Sequence, residues 1–360
     1  MKKKRDIYCE YAFWEAFSKM EESVLHDRSK RKLWDAFYEF VSNNNLFFDV
    51  PIQSINEETP GGKNIMLIRQ EKGGAGIKFI PKRFPKIEDF SNENDNTLNS
   101  VFLTMLETPD CNSISKRYGV MVFNIPIIFS SDHVYIDNGI SLDRANGQNW
   151  SYLWDLREKC PSISCCNSLV VVDRYLLSDI NESAFDANLS PIFDALLPQS
   201  LDNDILFTIC IIAEKLCQSI DEKYRRIDAL VKELRPELDF SLTIYDSKRL
   251  HDRSIITNNV ILTSGAGFDV IGRNMLPLRF TTTTLYFPFL RSDKNDNFLD
   301  WINNVLNEKQ RCRAFQQNYW GDELKRHHLL DYYYEEPVMP RATYSLGSAF
   351  ADVLSRARAT

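Results

Sequence analysis

Leu250-His251-Asp252-Arg253-Ser254-Ile255-Ile256-Thr257-Asn258-Asn259-Val260-Ile261-Leu262-Thr263-Ser264-Gly265-Ala266-Gly267-Phe268 decides how the second half of the chain is read. A histidine is followed two residues later by a cation, five beyond that by an amide, and then by a β-branched run ending in small residues. Asn259 to Thr263 is β-rich, as is Phe240 to Tyr245 upstream, and the charged segment Asp246 to Arg253 separates them. That pattern predicts a strand, a loop carrying His251, and a second strand, with Ser264-Gly265-Ala266-Gly267 as the turn at its end.

Working outward, Ser168 to Leu177 reads as a buried strand ending in the polar pair Asp173-Arg174, and Asp204 to Ile212 as another. Glu214 to Leu234 carries Leu216, Ile220, Tyr224, Ile227, Leu230 and Val231 at helical spacing and reads as one amphipathic helix. Strand, strand, helix, strand, histidine loop, strand is the order of half a phospholipase D-like sandwich. The histidine segment resembles the phospholipase D superfamily motif H-x-K-x4-D-x6-G-S-x-N, and is similar in particular to the altered C-terminal domain of MIT-domain proteins. On that pattern His251 keeps the nucleophile and Gly265 the glycine, while Arg253, Asn258, Ala266 and Phe268 stand for lysine, aspartate, serine and asparagine.

The resemblance implies an α/β/α sandwich with a phosphate pocket lined by His251, Arg253 and Asn258 and floored by Ser264, Gly265 and Gly267, needing no cofactor. In the superfamily a neutral histidine attacks phosphorus, and the other motif residues stabilise charge on the phosphoryl oxygens. Arg253 retains a planar fork for phosphate. Asn258 carries no charge, and Ala266 and Phe268 supply no polar ligand, so binding without turnover stands beside hydrolysis as an open alternative. The chain holds one such motif, and two facing histidines are needed for turnover, so catalysis implies a two-fold homodimer. The plain alternative is a solvated histidine on a surface loop.

The first half begins with Asp6 to Phe17, a short strand running into a helix with Glu10 at the strand's end. A second helix spans 31 to 43, followed by the strand Leu46 to Val50. The segment Pro60 to Pro85 holds Gly61-Gly62 and Gly73-Gly74-Ala75-Gly76 without a Walker-type Lys-Ser/Thr, and is read as turns between hairpin strands. Ser100 to Phe123 then gives strand, acidic turn, helix, Tyr118-Gly119 and strand. This rhythm resembles PIN-like nuclease domains, which gather carboxylates at the carboxyl ends of parallel strands to hold Mg²⁺ or Mn²⁺. The resemblance implies metal ligands at Glu10 and Asp110, with Glu39 and Glu107 as further candidates. Strand-end acids that are simply solvated are the alternative.

At 360 residues the chain predicts two α/β domains: a PIN-like parallel-sheet sandwich over 1–140, then a phospholipase D-like domain over 150–360 with a helical tail. The polar stretch 136 to 165, with Asn138-Gly139 and Asn146-Gly147, marks the expected boundary. A net charge of −7 and a pI near 5.4 argue against a broadly basic nucleic-acid coat and leave room for a local groove. The eight cysteines lack C-x-x-C pairing and read as reduced core residues. With no h-region after Met1-Lys2-Lys3-Lys4-Arg5 and no long apolar run, a cytoplasmic protein without a transmembrane segment is expected. His327-His328 reads as a helix surface, and Tyr332 to Tyr334 with Arg341, Arg356 and Arg358 as a surface for stacking on nucleic acid or docking a partner. Together the two resemblances imply a bacterial protein that recognises or processes nucleic acid, as part of a defence system against phage. The alternative is an inactive module that binds a protein or a lipid headgroup.

Overall fold

The computed structural model describes residues 4–72, 76–86, 90, 91, 93–130, 140–142, 161–202, 205–249, 253–265, 268, 283–286, 292–314, 319–321 and 326–334. The first sheet is built from β1 (Asp6–Cys9), β2 (Asn45–Phe48), β3 (Ile77–Phe79), β4 (Val101–Leu103) and β5 (Met121–Phe123). All pairs are parallel, in the order β3-β2-β1-β4-β5. Parallel neighbours need crossovers, which are supplied by α1 (Tyr11–Val24), α2 (Arg28–Asn43), α3 (Pro60–Glu71), α4 (Asp95–Leu98) and α5 (Thr108–Tyr118), with α6 (Ile125–Ile128) after the last strand. Every residue of β4 and β5 is buried, as expected of strands covered on both faces. The order reverses between β1 and β4, and the carboxyl ends of these two strands therefore border the crevice where open α/β sheets take ligands.

The region read as hairpins over Pro60 to Pro85 is instead helix α3 followed by the parallel strand β3. Gly61 and Gly62 lie in the first turn of α3, where Thr59 caps Gly62 N–H, and they allow close packing rather than chain reversal. A Cβ on Gly61 would lie 2.3 Å from Glu15 Oε2, and one on Gly62 1.9 Å from Asn56 O. Periodicity alone could not show this, because both glycines answer to a neighbouring element.

The second sheet contains β6 (Ile140–Leu142), β7 (Ser168–Val172), β8 (Phe207–Ala213), β9 (Phe240–Asp246), β10 (Arg253–Thr257), β11 (Ile261–Ser264), β12 (Thr283–Tyr286) and β13 (Tyr319–Gly321). Its order is β13-β9-β8-β7-β10-β11-β12-β6, with β9, β8 and β7 parallel and the flanking pairs antiparallel. The chain thus enters this sheet at Ile140, inside the expected linker. Helices α7 (Phe185–Leu196) and α8 (Ile220–Leu234) cover one face and α9 (Ser292–Ala314) and α10 (His328–Tyr333) the other. The two-residue strand period divides the core between the faces: Leu169 and Val171 pack with Ile192 and Ile227, whereas Val170 and Val172 pack with Ile302 and Leu330. Helix α8 starts at Ile220, later than expected, because Ser219 caps Glu222 N–H and the preceding residues carry the chain over the sheet end.

The sheets meet at the amino ends of their strands. Asn167, just before β7, and Asn258 both donate from Nδ2 to Leu98 O and Gly119 O, just before β4 and β5. Arg5, just before β1, donates its guanidinium to Asn258 O, and Asn99 Nδ2 donates to His328 O at 2.9 Å. A single apolar cluster runs from Ile7 in the first sheet to Leu262 in the second. His327 and His328 are 7% and 2% exposed, so the expected helix surface is a buried seam. Tyr332 and Tyr333 are likewise buried, which removes them as a stacking surface, while Arg341, Arg356 and Arg358 lie outside the described residues.

Candidate functional site

Because the joint holds the amino ends of the parallel strands, their carboxyl ends lie on the far side of each sheet, and these two edges are the candidate crevices. In the first, Glu10 follows β1 and is 7% exposed. Its Oε2 accepts from Thr104 Oγ1 at 2.9 Å and from Met105 N–H at 2.6 Å, across the gap between the ends of β1 and β4. Among the described residues Oε1 carries no hydrogen bond, so one carboxylate oxygen is anchored and the other faces the crevice. Asp49, directly after β2, accepts Tyr11 N–H at 2.7 Å and so places a negative charge at the start of α1. Asn124, after β5, holds Leu106 O and Thr108 Oγ1, which fixes the loop leading to the exposed Asp110 in the first turn of α5.

Two buried thiols lie near these acids. Burial, then the charge of Asp110 with a smaller push from Glu10, raises Cys111 to about 12. Burial, then Asp49 and Glu10, raises the Cys9 thiol. Both cysteines are therefore inert packing at neutral pH. Glu10 directly follows β1, and Asp110 lies in the first turn of α5, the helix that follows β4. Glu39 is an exposed position of α2. Asp49, Thr104 and Asn124, which bond to the chain around Glu10 and Asp110, are positions that motif matching passes over. The signal available for Asp49 was the one that marks Glu10: an acid placed directly after an apolar strand run.

In the second crevice Arg253 opens β10 opposite Ser264, and its Nη1 donates to Gly265 O at 2.9 Å. Arg253, Ser264 and Gly265 are therefore together. Asp173, just beyond β7 and 1% exposed, accepts Tyr175 N–H at 3.0 Å and Phe268 N–H at 2.6 Å, and its Oδ1 lies 3.9 Å from Arg253 Nε. Phe268 is fully buried and acts as core. His251 and Gly267 lie outside the described residues.

Asn258 is not in this crevice. It sits in the turn at the other end of β10, five residues or roughly 16 Å along an extended strand from Arg253. Its amide is 1% exposed and holds Leu98 O, Gly119 O and Asn167 N–H. The expectation that Asn258 lines a phosphate pocket is corrected: residues 253–257 form an extended strand, so Asn258 emerges at its far end, in the seam.

No protein-family model matches the sequence, and a comparison with curated proteins finds no match. Among the described residues no helix is long and apolar enough to cross a membrane.

Proposed function

We propose that the chain recognises and processes nucleic acid: the first crevice is the site of phosphodiester chemistry, and the second contacts phosphate without turnover. The carrying observation is Glu10, a buried carboxylate with one oxygen held by Thr104 and Met105 and the other left to a switch-point crevice. Asp49 and Asp110 at the same end supply further hard oxygen donors. This chemistry suits Mg²⁺ or Mn²⁺, since Mg²⁺ commonly takes one or two protein carboxylates and keeps several waters. Glu10, with Asp110 or Asp49, would hold the ion, which when bound activates water and steadies the leaving oxygen. The resemblance of the sequence to PIN-like and phospholipase D-like folds is what supports reading it as part of a bacterial defence system against phage.

Binding without turnover at the second crevice is favoured by Asn258 serving the joint and Phe268 serving the core, which leaves Arg253 there without either as a phosphoryl ligand. Incubation of single- and double-stranded DNA and RNA with Mn²⁺ or with EDTA tests both assignments. We expect metal-dependent cutting that disappears in Glu10→Gln and persists in His251→Ala. Metal-independent cutting lost in His251→Ala would reverse the two assignments, and no cutting of any substrate would leave an interaction module.

A further inference from the structure

At the carboxyl end of β7 the chain presents a partly exposed aromatic ring with two guanidinium groups near it. Tyr175 is 39% exposed although its backbone is fixed, since Tyr175 N–H is bound by the buried Asp173 carboxylate. The Arg174 guanidinium lies 5.4 Å from the ring centroid and that of Arg253 5.6 Å. Each cation is held from behind, Arg174 by Glu214 and Arg253 by Gly265 O. Arg253 is hydrogen-bonded at Nη1; its buried Nε has only the Asp173 carboxylate 3.9 Å away, and Nη2 has no hydrogen bond among the described residues. Tyrosine offers a large apolar ring with a polar tip and is enriched where proteins meet ligands, and here its backbone mounting is fixed.

We propose that Tyr175, with Arg174 and Arg253 beside it, is a stacking platform for one base of a single-stranded nucleic acid, whose adjacent phosphate is taken by Nη2 of Arg253. An aromatic face beside guanidinium groups matches a ligand that alternates π-faces with phosphates, and base stacking on such a ring is tolerant of sequence. A headgroup of inositol phosphate type would use the cations but gain little from the ring. Asp173 is a positioning residue: it sets the turn that presents Tyr175 and stands beside the Arg253 Nε. This inference rests on the reading of the chain as a nucleic-acid protein and specifies where and how a strand is held.

Fluorescence anisotropy of the full chain with labelled dT and U oligomers of about 15 nucleotides, near the upper site size of one single-strand-binding fold, is the test. Tyr175→Ala is expected to weaken binding about tenfold and Tyr175→Phe by less than about twofold, because the phenol hydroxyl is not used. Removing the bases, with an abasic strand of equal length, should weaken binding to the wild-type chain and leave Tyr175→Ala unchanged. Arg253→Lys should lower affinity and leave the abasic penalty intact. If the oligomers bind and Tyr175→Ala is indifferent, the platform is wrong while the nucleic-acid reading stands. If they do not bind but Glu10-dependent cutting is seen, the platform is again wrong. If neither binding nor cutting occurs and vesicles containing phosphoinositide are bound through Arg253, both readings fall.

Discussion

Two glycines with left-handed backbone separate conformational cost from contact cost. Gly119 ends α5 at φ 63° and an added Cβ would lie 2.4 Å from Cys166 O, whereas Gly76 has φ 78° and nothing nearer than 3.6 Å. Gly119→Ala is expected to cost roughly 2–4 kcal/mol and Gly76→Ala about 1 kcal/mol in urea unfolding. Equal costs would mean that the joint yields at Gly119. Asn258→Ala strips hydrogen bonds from two buried carbonyls and one N–H, so a loss of about 2–4 kcal/mol is expected, with phosphate affinity at Arg253 unchanged. A variant that kept its stability but lost phosphate binding would restore Asn258 to the pocket. His327 adds a pH dependence. Its Nε2 faces Leu169 O and its Nδ1 accepts Leu330 N–H, so the ring is neutral, and burial, then the charge of Lys309, lowers it to about 3 against the opposing pull of Asp331. The unfolded chain takes up this proton near pH 6.5 and the folded chain does not, so the stability is complete above that pH. It falls by up to about 1.4 kcal/mol per unit as the pH drops toward 3. Between pH 7 and 5, thermal melts of His327→Gln should be flatter than those of the wild type; parallel curves would contradict the assignment.

At the scale of elements, helix ends and helix contacts are separable. Ser219 caps α8 on an exposed turn, and Ser219→Ala should cost about 1 kcal/mol without touching either crevice. Gly61 lies where α3 crosses α1, 2.9 Å from Glu15 Cα for an added Cβ, so Gly61→Ala must move one helix against the other. Because α1 begins at Tyr11, beside Glu10 and Asp49, that variant is expected to lose both stability and cutting activity, whereas Ser219→Ala loses only stability. Activity retained in Gly61→Ala would show that the crevice is insulated from helix packing. Motif reading singled out Glu10, which directly follows β1, and Asp110, which lies in the first turn of α5. It misplaced Asn258 because residues 253–257 pair with both β7 and β11 as a full strand.

For the whole molecule, the common core and the polar seam predict a single cooperative unfolding transition in a chain of two sheets. Tryptophan fluorescence and far-UV circular dichroism should give the same urea midpoint. Asp95 is the keystone of the seam, meeting His328 Nδ1 at 2.8 Å and Arg326 Nη2 at 3.0 Å. Asp95→Ala leaves the His328 imidazole buried without that partner, and it should pull the two midpoints apart. Two transitions already present in the wild type would mean that the halves fold independently.

The order of apolar runs and turns by itself determined an α/β chain with two sheets, the strands that lead to Glu10 and Asp110, and the amphipathic register of α8, because these follow from local periodicity and strand-end chemistry. Only the tertiary structure decided that Gly61 and Gly62 serve helix packing, that His327, His328 and Asn258 are buried in a seam, and that Tyr175 stands partly exposed with two guanidiniums near it. Each of those outcomes depends on what a distant segment brings to the same place, and residues such as Asn258 and Leu98, 160 apart in sequence, meet only when the chain has folded.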